Sequence, residues 1–433
     1  MPPGYIEKLK KLASELAFDP GRLKTKEDWV RAGETVFDAA AAYGIEVDME
    51  DLTNPEWYAA TGVSVAKDGT VPWVRYMIRA TGNVEVGNLS CGFCHTRVLP
   101  DGSVVKGAQS NFSFDKARTF RNRRRGNAAE FRRDELGFFT VQWVPTMQAR
   151  LEAMSMEEFN AAHDAIPPGV FARNRSSPFY PPAVPDLIGV RDRKYLGRTG
   201  ATVHRSLADL MRYASLAQGI EFLSSFGGFI PDGEENFSKL PPPETRERFS
   251  DAQLYALALY LYSLKPPPNP NPNRVDETAQ TGRKVFQRSG CAGCHPSPVY
   301  TNNKLLPARG FQIPPDHRGK YDILDMPIDT DSRLTLQTRR GTGYYKVPSL
   351  RGLWYRGPFE HNGSVATLED WFDERRLRED YLPSGFVGYG VKTTVGSRIR
   401  LGPLRASEMA HLDTVIMPQL PETVFGQPGF RSA

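Results

Sequence analysis

The chain predicts a mainly α protein made of two similar units with long loop insertions, and three observations lead there. Its only four cysteines fall in two identical frames, Cys91-Gly92-Phe93-Cys94-His95 and Cys291-Ala292-Gly293-Cys294-His295. A short repeat precedes each frame, "AGETVF" from Ala32 to Phe37 and "TGRKVF" from Thr281 to Phe286. Between the halves runs "KPPPNPNPN", Lys265 to Asn273, where proline and asparagine forbid helix and favour an extended linker. The expected units are 1–265 and 275–433.

Composition agrees with this. With 433 residues there is room for two or three ordinary domains, and 40% hydrophobic and 24% charged residues are globular values. Fifty-five Lys and Arg against 50 Asp and Glu leave a formal charge of only +5, too small and dispersed for a nucleic-acid partner. An acidic protein partner stays open. No apolar run approaches the roughly 18 residues of a membrane helix, so no membrane span is expected. The opening "MPPGYIEKLKKLASELAF" also lacks the apolar core of a signal peptide. The 35 prolines and 38 glycines lie largely between periodic segments, which predicts helices joined by long ordered loops.

The cysteine frames carry the chemistry. Two thiols separated by two residues can add across the two vinyl groups of a haem, and the adjacent histidine then lies beneath the iron as its axial ligand. A zinc site is the first rival, but it needs a fourth ligand and crowds a Cys directly followed by His. A thioredoxin-like redox pair is the second, and it does not require the histidine. Two complete copies with no cysteine left over favour covalent haem at Cys91, Cys94 and His95 and at Cys291, Cys294 and His295. Such attachment implies export, so a periplasmic or secreted location is expected from a chain whose signal is no longer present.

In cytochrome c folds the first helix packs a glycine and an aromatic residue against another helix, and Gly282 and Phe286 are suitably spaced before Cys291. The first half departs from this by inserting a long stretch with Trp57 and Trp73 before Cys91. Further on, "FSDAQLYALALYLYSL" reads as a helix: Ser250 and Gln253 form a capping box, and Phe249 and Leu254 occupy staple positions. "FDKARTFRNRRRG" collects Lys116, Arg118, Arg121, Arg123, Arg124 and Arg125. It reads first as a solvated basic face, with an arginine or two available to haem propionates, and second as a docking patch for an acidic electron donor.

Downstream, "YKVPSLRGLWYRGPFEHNGSVATLEDWF", Tyr345 to Phe372, resembles the C-terminal signature of bacterial di-haem cytochrome c peroxidases. The matching residues are Lys346-Val347-Pro348-Ser349-Leu350-Arg351, Pro358, His361-Asn362-Gly363-Ser364 and Thr367-Leu368-Glu369. Relatives include the di-haem enzyme that matures a tryptophan-derived quinone and the secreted rubber oxygenases, and the long spacing between the haem motifs is more like the latter. The resemblance implies two cytochrome c-like haem domains. Their electrons enter at the His295 haem and pass to a His95 haem that reacts with peroxide or dioxygen. It also implies a small donor protein or redox complex as partner, allows calcium between the domains, and suggests Trp143 as the tryptophan between the haems. Plain core packing is the other reading of Trp143.

The chain also departs from the pattern. Fourteen residues beyond His361, where the family places a methionine or tyrosine, stands Arg375, which cannot ligate iron. His361 itself, Met409, His411 and Met417 are the remaining distal candidates for the second iron. His361 also reads as a propionate partner, or as part of a turn completed by Gly363, with Ser364 or Thr367 capping the next helix. After His95 no His or Met occurs from Thr96 to Thr146; Met147, His163 and His204 are the next candidates, each from a different segment, and a surface or capping role is the first reading of His204. The first iron is therefore expected to be open and reactive. The contrasting expectation is a non-enzymatic electron carrier, with both irons fully ligated by protein.

Overall fold

A computed structural model describes residues 4–390 apart from 41, 45, 135, 137–144, 173–175, 218–248, 271–275, 338–340 and 379. Trp143, Met409, His411 and Met417 lie outside the described residues. The described chain is rich in helices with small sheets: one three-stranded and three two-stranded, all antiparallel.

The first half is organised by two crossing helices, Lys26–Asp38 and Asp251–Ser263. Thr25 and Asp28 form a capping box on the first, and Ser250 and Gln253 form the box predicted for the second. They meet at Gly33, where a Cβ would stand 2.0 Å from the carbonyl oxygen of Ala256 and 2.7 Å from the Cβ of Tyr260. Aromatic pairs flank this contact, Trp29 with Tyr255 at 5.2 Å and Phe37 with Tyr260 at 5.3 Å between ring centroids. "AGETVF" is thus the tight crossing point of the first half, and the proline run follows the second helix. In the other copy, Gly282 is buried on the Glu277–Arg288 helix, and Phe286 packs edge-on against Tyr300.

The long insertion before Cys91 folds underneath it. Helices Met49–Thr53 and Pro55–Thr61 and the hairpin of Arg75–Ala80 with Asn83–Asn88 bring Trp57 and Trp73 into one core with Phe93, Phe112 and Phe114. Trp73 Nε1 donates to Thr96 O at 2.7 Å, pinning the insertion to the residue after His95.

The basic run forms the Phe114–Arg125 helix, and much of it is turned inward rather than forming a solvated face. Arg118 and Arg121 are buried and face Glu46 and Asp48 at 3.5 and 3.6 Å. Arg124 reaches Asp48, Glu50 and Asp51 at 2.9, 2.6 and 3.1 Å, and Arg123 pairs with Asp164 at 2.6 Å. Most of the run is spent on internal ion pairs, because the insertion's acidic helix cap lies against it. Burial pushes Asp51 up from 3.8 to about 6. Burial also acts on Asp48, but the Asp51 N–H and the arginines outweigh it and hold that carboxyl low.

Two predictions follow from this packing. Gly33→Ala should cost about 3 kcal/mol in chemical denaturation, although alanine is the better helix former by about 1 kcal/mol; an unchanged or raised stability would contradict the crossing. Asp51 binds its proton more tightly folded than unfolded, so ionising it opposes folding. Relative to Asp51→Asn, the native chain should lose up to roughly 3 kcal/mol as pH rises from about 4 to about 6, followed by thermal unfolding at each pH.

Candidate functional site

Each cysteine frame forms one short helical turn ending at its histidine. In the first, Cys91–Cys94, the Ser90 hydroxyl accepts from Phe93 N at 3.0 Å, and His95 N donates back to Cys91 O at 2.9 Å. In the second, Cys291–Cys294, Gly290 supplies the left-handed entry with φ +78°, and His295 N donates to Cys291 O at 2.8 Å. None of the four cysteines is in a disulfide. Burial raises the Cys291 and Cys294 thiols, which keeps them protonated. Among the described residues no three His, Cys, Asp or Glu side chains converge to hold a metal ion, so neither frame is arranged as a zinc site.

The imidazoles are oriented alike. His95 Nδ1 lies 2.9 Å from Pro185 O and His295 Nδ1 lies 3.0 Å from Tyr300 O. A carbonyl only accepts, so each Nδ1 carries the proton and each Nε2 keeps its lone pair. Burial pushes His95 down to about 4 and lowers His295 as well, so both rings are neutral at neutral pH. Two thiols on one turn and a neutral imidazole offering Nε2 fit covalent haem at both frames.

The signature segment positions both acceptors. Toward the second frame, Leu350 N donates to Tyr300 O at 3.1 Å, Thr301 Oγ1 to Val347 O at 2.7 Å and Ser349 Oγ to Val299 O at 2.7 Å. Toward the first, Arg351 binds Asp192, and Arg356 Nη1 lies 3.7 Å from Asp186 Oδ2, next to Pro185. The frames differ in exposure: Gly92 is buried, and a Cβ there would lie 2.8 Å from Asp38 Oδ1, whereas Gly293 is exposed with nothing within 4 Å.

His361 is 7% exposed and lies against Tyr345, ring centroids 4.4 Å apart. Its Nδ1 is 3.5 Å from Thr330 Oγ1, its Nε2 is buried without a hydrogen-bond partner among the described residues, and burial pushes it down to about 4. Its carbonyl accepts from Ala183 N at 2.8 Å, so its contacts run to the segment that receives His95. The turn reading holds around it. Gly363 has φ +81°, a Cβ there would lie 2.5 Å from Val170 Cγ2, and Thr367 caps the Leu368–Trp371 helix.

His204 is bound at both nitrogens, by Arg193 O at 2.8 Å and the Tyr262 hydroxyl at 2.7 Å, and is no iron ligand in this arrangement. His163 is buried between Phe131 and Phe159, with Nδ1 2.8 Å from Phe159 O. Arg375 pairs with Asp373 on the surface. Pro185, Asp186, Arg193 and Arg198 were missed by sequence reasoning. They belong to no motif, and the only signal is a proline-rich stretch running into "VRDRKYLGRTG".

No protein-family model matches the chain. A stretch of 156 residues is 28% identical to the cytochrome-c peroxidase IdrP1 of Denitromonas iodatirespirans, covering 32% of this chain and 38% of that protein. The chain thus has a peroxidase homologue over about a third of its length and spans well under half of that relative. Among solved structures, Kuenenia stuttgartiensis hydrazine synthase is similar at 17% identity and a TM-score of 0.31, over 55% of this chain and 72% of that one. A MauG-like protein associated with microbial copper homeostasis is similar at 17% identity and a TM-score of 0.33, over 57% and 76%.

The His204–Tyr262 pair is a structural tie, so His204→Phe and Tyr262→Phe should each cost about 1–2 kcal/mol in denaturant unfolding. The double variant should cost little more than either. Additive losses would contradict the bond.

Proposed function

We propose that the chain is an exported di-haem c-type oxidoreductase. Haem is attached at Cys91 and Cys94 with His95 as ligand, and at Cys291 and Cys294 with His295 as ligand. The matched Nδ1 bonds of the two histidines to backbone carbonyls carry this reading, since they leave two neutral Nε2 ligands beside thiol pairs. The two units are 1–265 and 275–433. When bound, haem supplies a one-electron centre and an iron that accepts peroxide or dioxygen.

Electrons enter from a small donor protein or redox complex at the His295 frame, whose turn is the more exposed, and pass to the His95 frame. There peroxide takes up two electrons and two protons to give two waters, or dioxygen attacks an organic substrate. The occupation of both His204 nitrogens supports an open first iron, and the peroxidase homologue supports the peroxide variant. Pro185 O fixes the His95 ring plane, and the ion pairs behind it hold that carbonyl. His361, neutral and unpartnered at Nε2, is the side chain on the page suited to accept or return a proton. Trp143 is carried over from the resemblance alone as the tryptophan between the haems. No described helix is long and apolar enough to cross a membrane.

The ferric spectrum tests this. One high-spin haem that shifts on adding cyanide, with peroxide oxidising the pre-reduced protein, is the expected result. Two low-spin haems unmoved by cyanide or peroxide would overturn the enzyme reading and indicate an electron carrier.

A further inference from the structure

Between the two frames lies a half-buried seam of positive charge. Arg193, Arg198, Lys346 and Arg356 all act on one another electrostatically, and Asp186 is the one carboxylate named among their common neighbours. Among the described residues their other polar partners are backbone carbonyls. Arg193 donates to Asp186 O and, at 2.7 Å, to Ile188 O; Arg198 donates to Ala183 O at 3.3 Å and Val184 O at 3.0 Å. Lys346 Nζ donates to Tyr195 O at 3.2 Å and Arg356 to Ser349 O at 2.8 Å. The other nearby carboxylate, Asp192, is taken by Arg351. Four cations against one buried carboxylate is an arrangement that proteins keep only when another anion completes it. Burial and the neighbouring guanidinium groups hold Lys346 well below its ordinary value, and burial brings Arg198 down to about 10.

The place of the seam identifies the anion. Asp186 follows Pro185, the acceptor of His95, while Thr301 follows Tyr300, the acceptor of His295. A small cavity lined by Arg193, Tyr195, Thr301, Asn303, Lys346 and Ser349 opens at this point. We propose that the seam of Arg193, Arg198, Lys346 and Arg356 receives propionate carboxylates of both haems, from opposite sides, and so sets the two reduction potentials together. The inference rests on the di-haem reading. A haem already tethered through its thioethers brings its carboxylates without further loss of translational freedom, which favours it over an anion from solution.

Spectroelectrochemical titration of the holoprotein tests this, with haem content and circular dichroism checked first. In Lys346→Gln both midpoints should fall, because a lost positive charge favours ferric iron. The expected size is roughly a tenfold change in the ferric-to-ferrous ratio, about 59 mV for one electron. Lys346→Arg should restore both midpoints, and Arg124→Gln, in the ion-pair network beside Asp48, should leave them unmoved. Arg193→Gln should give the same sign as Lys346→Gln and serves if the latter accumulates poorly. Unchanged midpoints at full haem content would overturn the proposal. So would a saturable shift of the native midpoints by phosphate or chloride that Lys346→Gln abolishes, since a solution anion would then occupy the seam. A chain carrying fewer than two covalent haems would instead bring down the di-haem reading beneath it.

Discussion

The arrangement depends on where two backbone carbonyls are held. Pro185 O and Tyr300 O fix the rings of His95 and His295, and the segment from Lys346 to Arg356 secures both. It bonds the loop after His295 through Val347, Ser349 and Leu350, and grips the Pro185–Arg193 stretch through Arg351 and Arg356. One stretch of eleven residues thereby ties the orientation of one proposed iron ligand to that of the other. This gives a physical reason for the signature to lie after both cysteine frames while acting on each.

The rest of the fold serves to bring these loops together. The Gly33 crossing lets the Lys26–Asp38 helix lie against the Asp251–Ser263 helix without a side chain between them. The insertion that separates the first helix from Cys91 supplies the aromatic core below Phe93 and, through Asp48 and Asp51, the carboxylates that neutralise the arginine-rich helix. A run that looks like a docking patch when read alone becomes an internal joint once its partners are in place.

The legible parts were those encoded locally. The Ser250–Gln253 capping box, the Thr367 cap and the Gly363 turn each need only a few adjacent residues, and each stands as read. The cysteine frames were legible for the same reason. The carbonyl partners were not: Pro185 is 90 residues from His95, and any residue type supplies a backbone oxygen. The cation seam was hidden likewise, because Arg193, Arg198, Lys346 and Arg356 come together only through tertiary packing. His204 shows the same limit, since a histidine's freedom to ligate depends on whether Tyr262, far along the chain, already holds it.

The central claim is that both cysteine frames carry covalent haem. It is tested most directly by the intact mass of the denatured protein, produced in a host that attaches c-type haem. The account predicts the polypeptide plus two haems, falling to one when either cysteine pair is replaced by alanine. A mass equal to the unmodified chain, in the same host and with a control cytochrome matured, would contradict it.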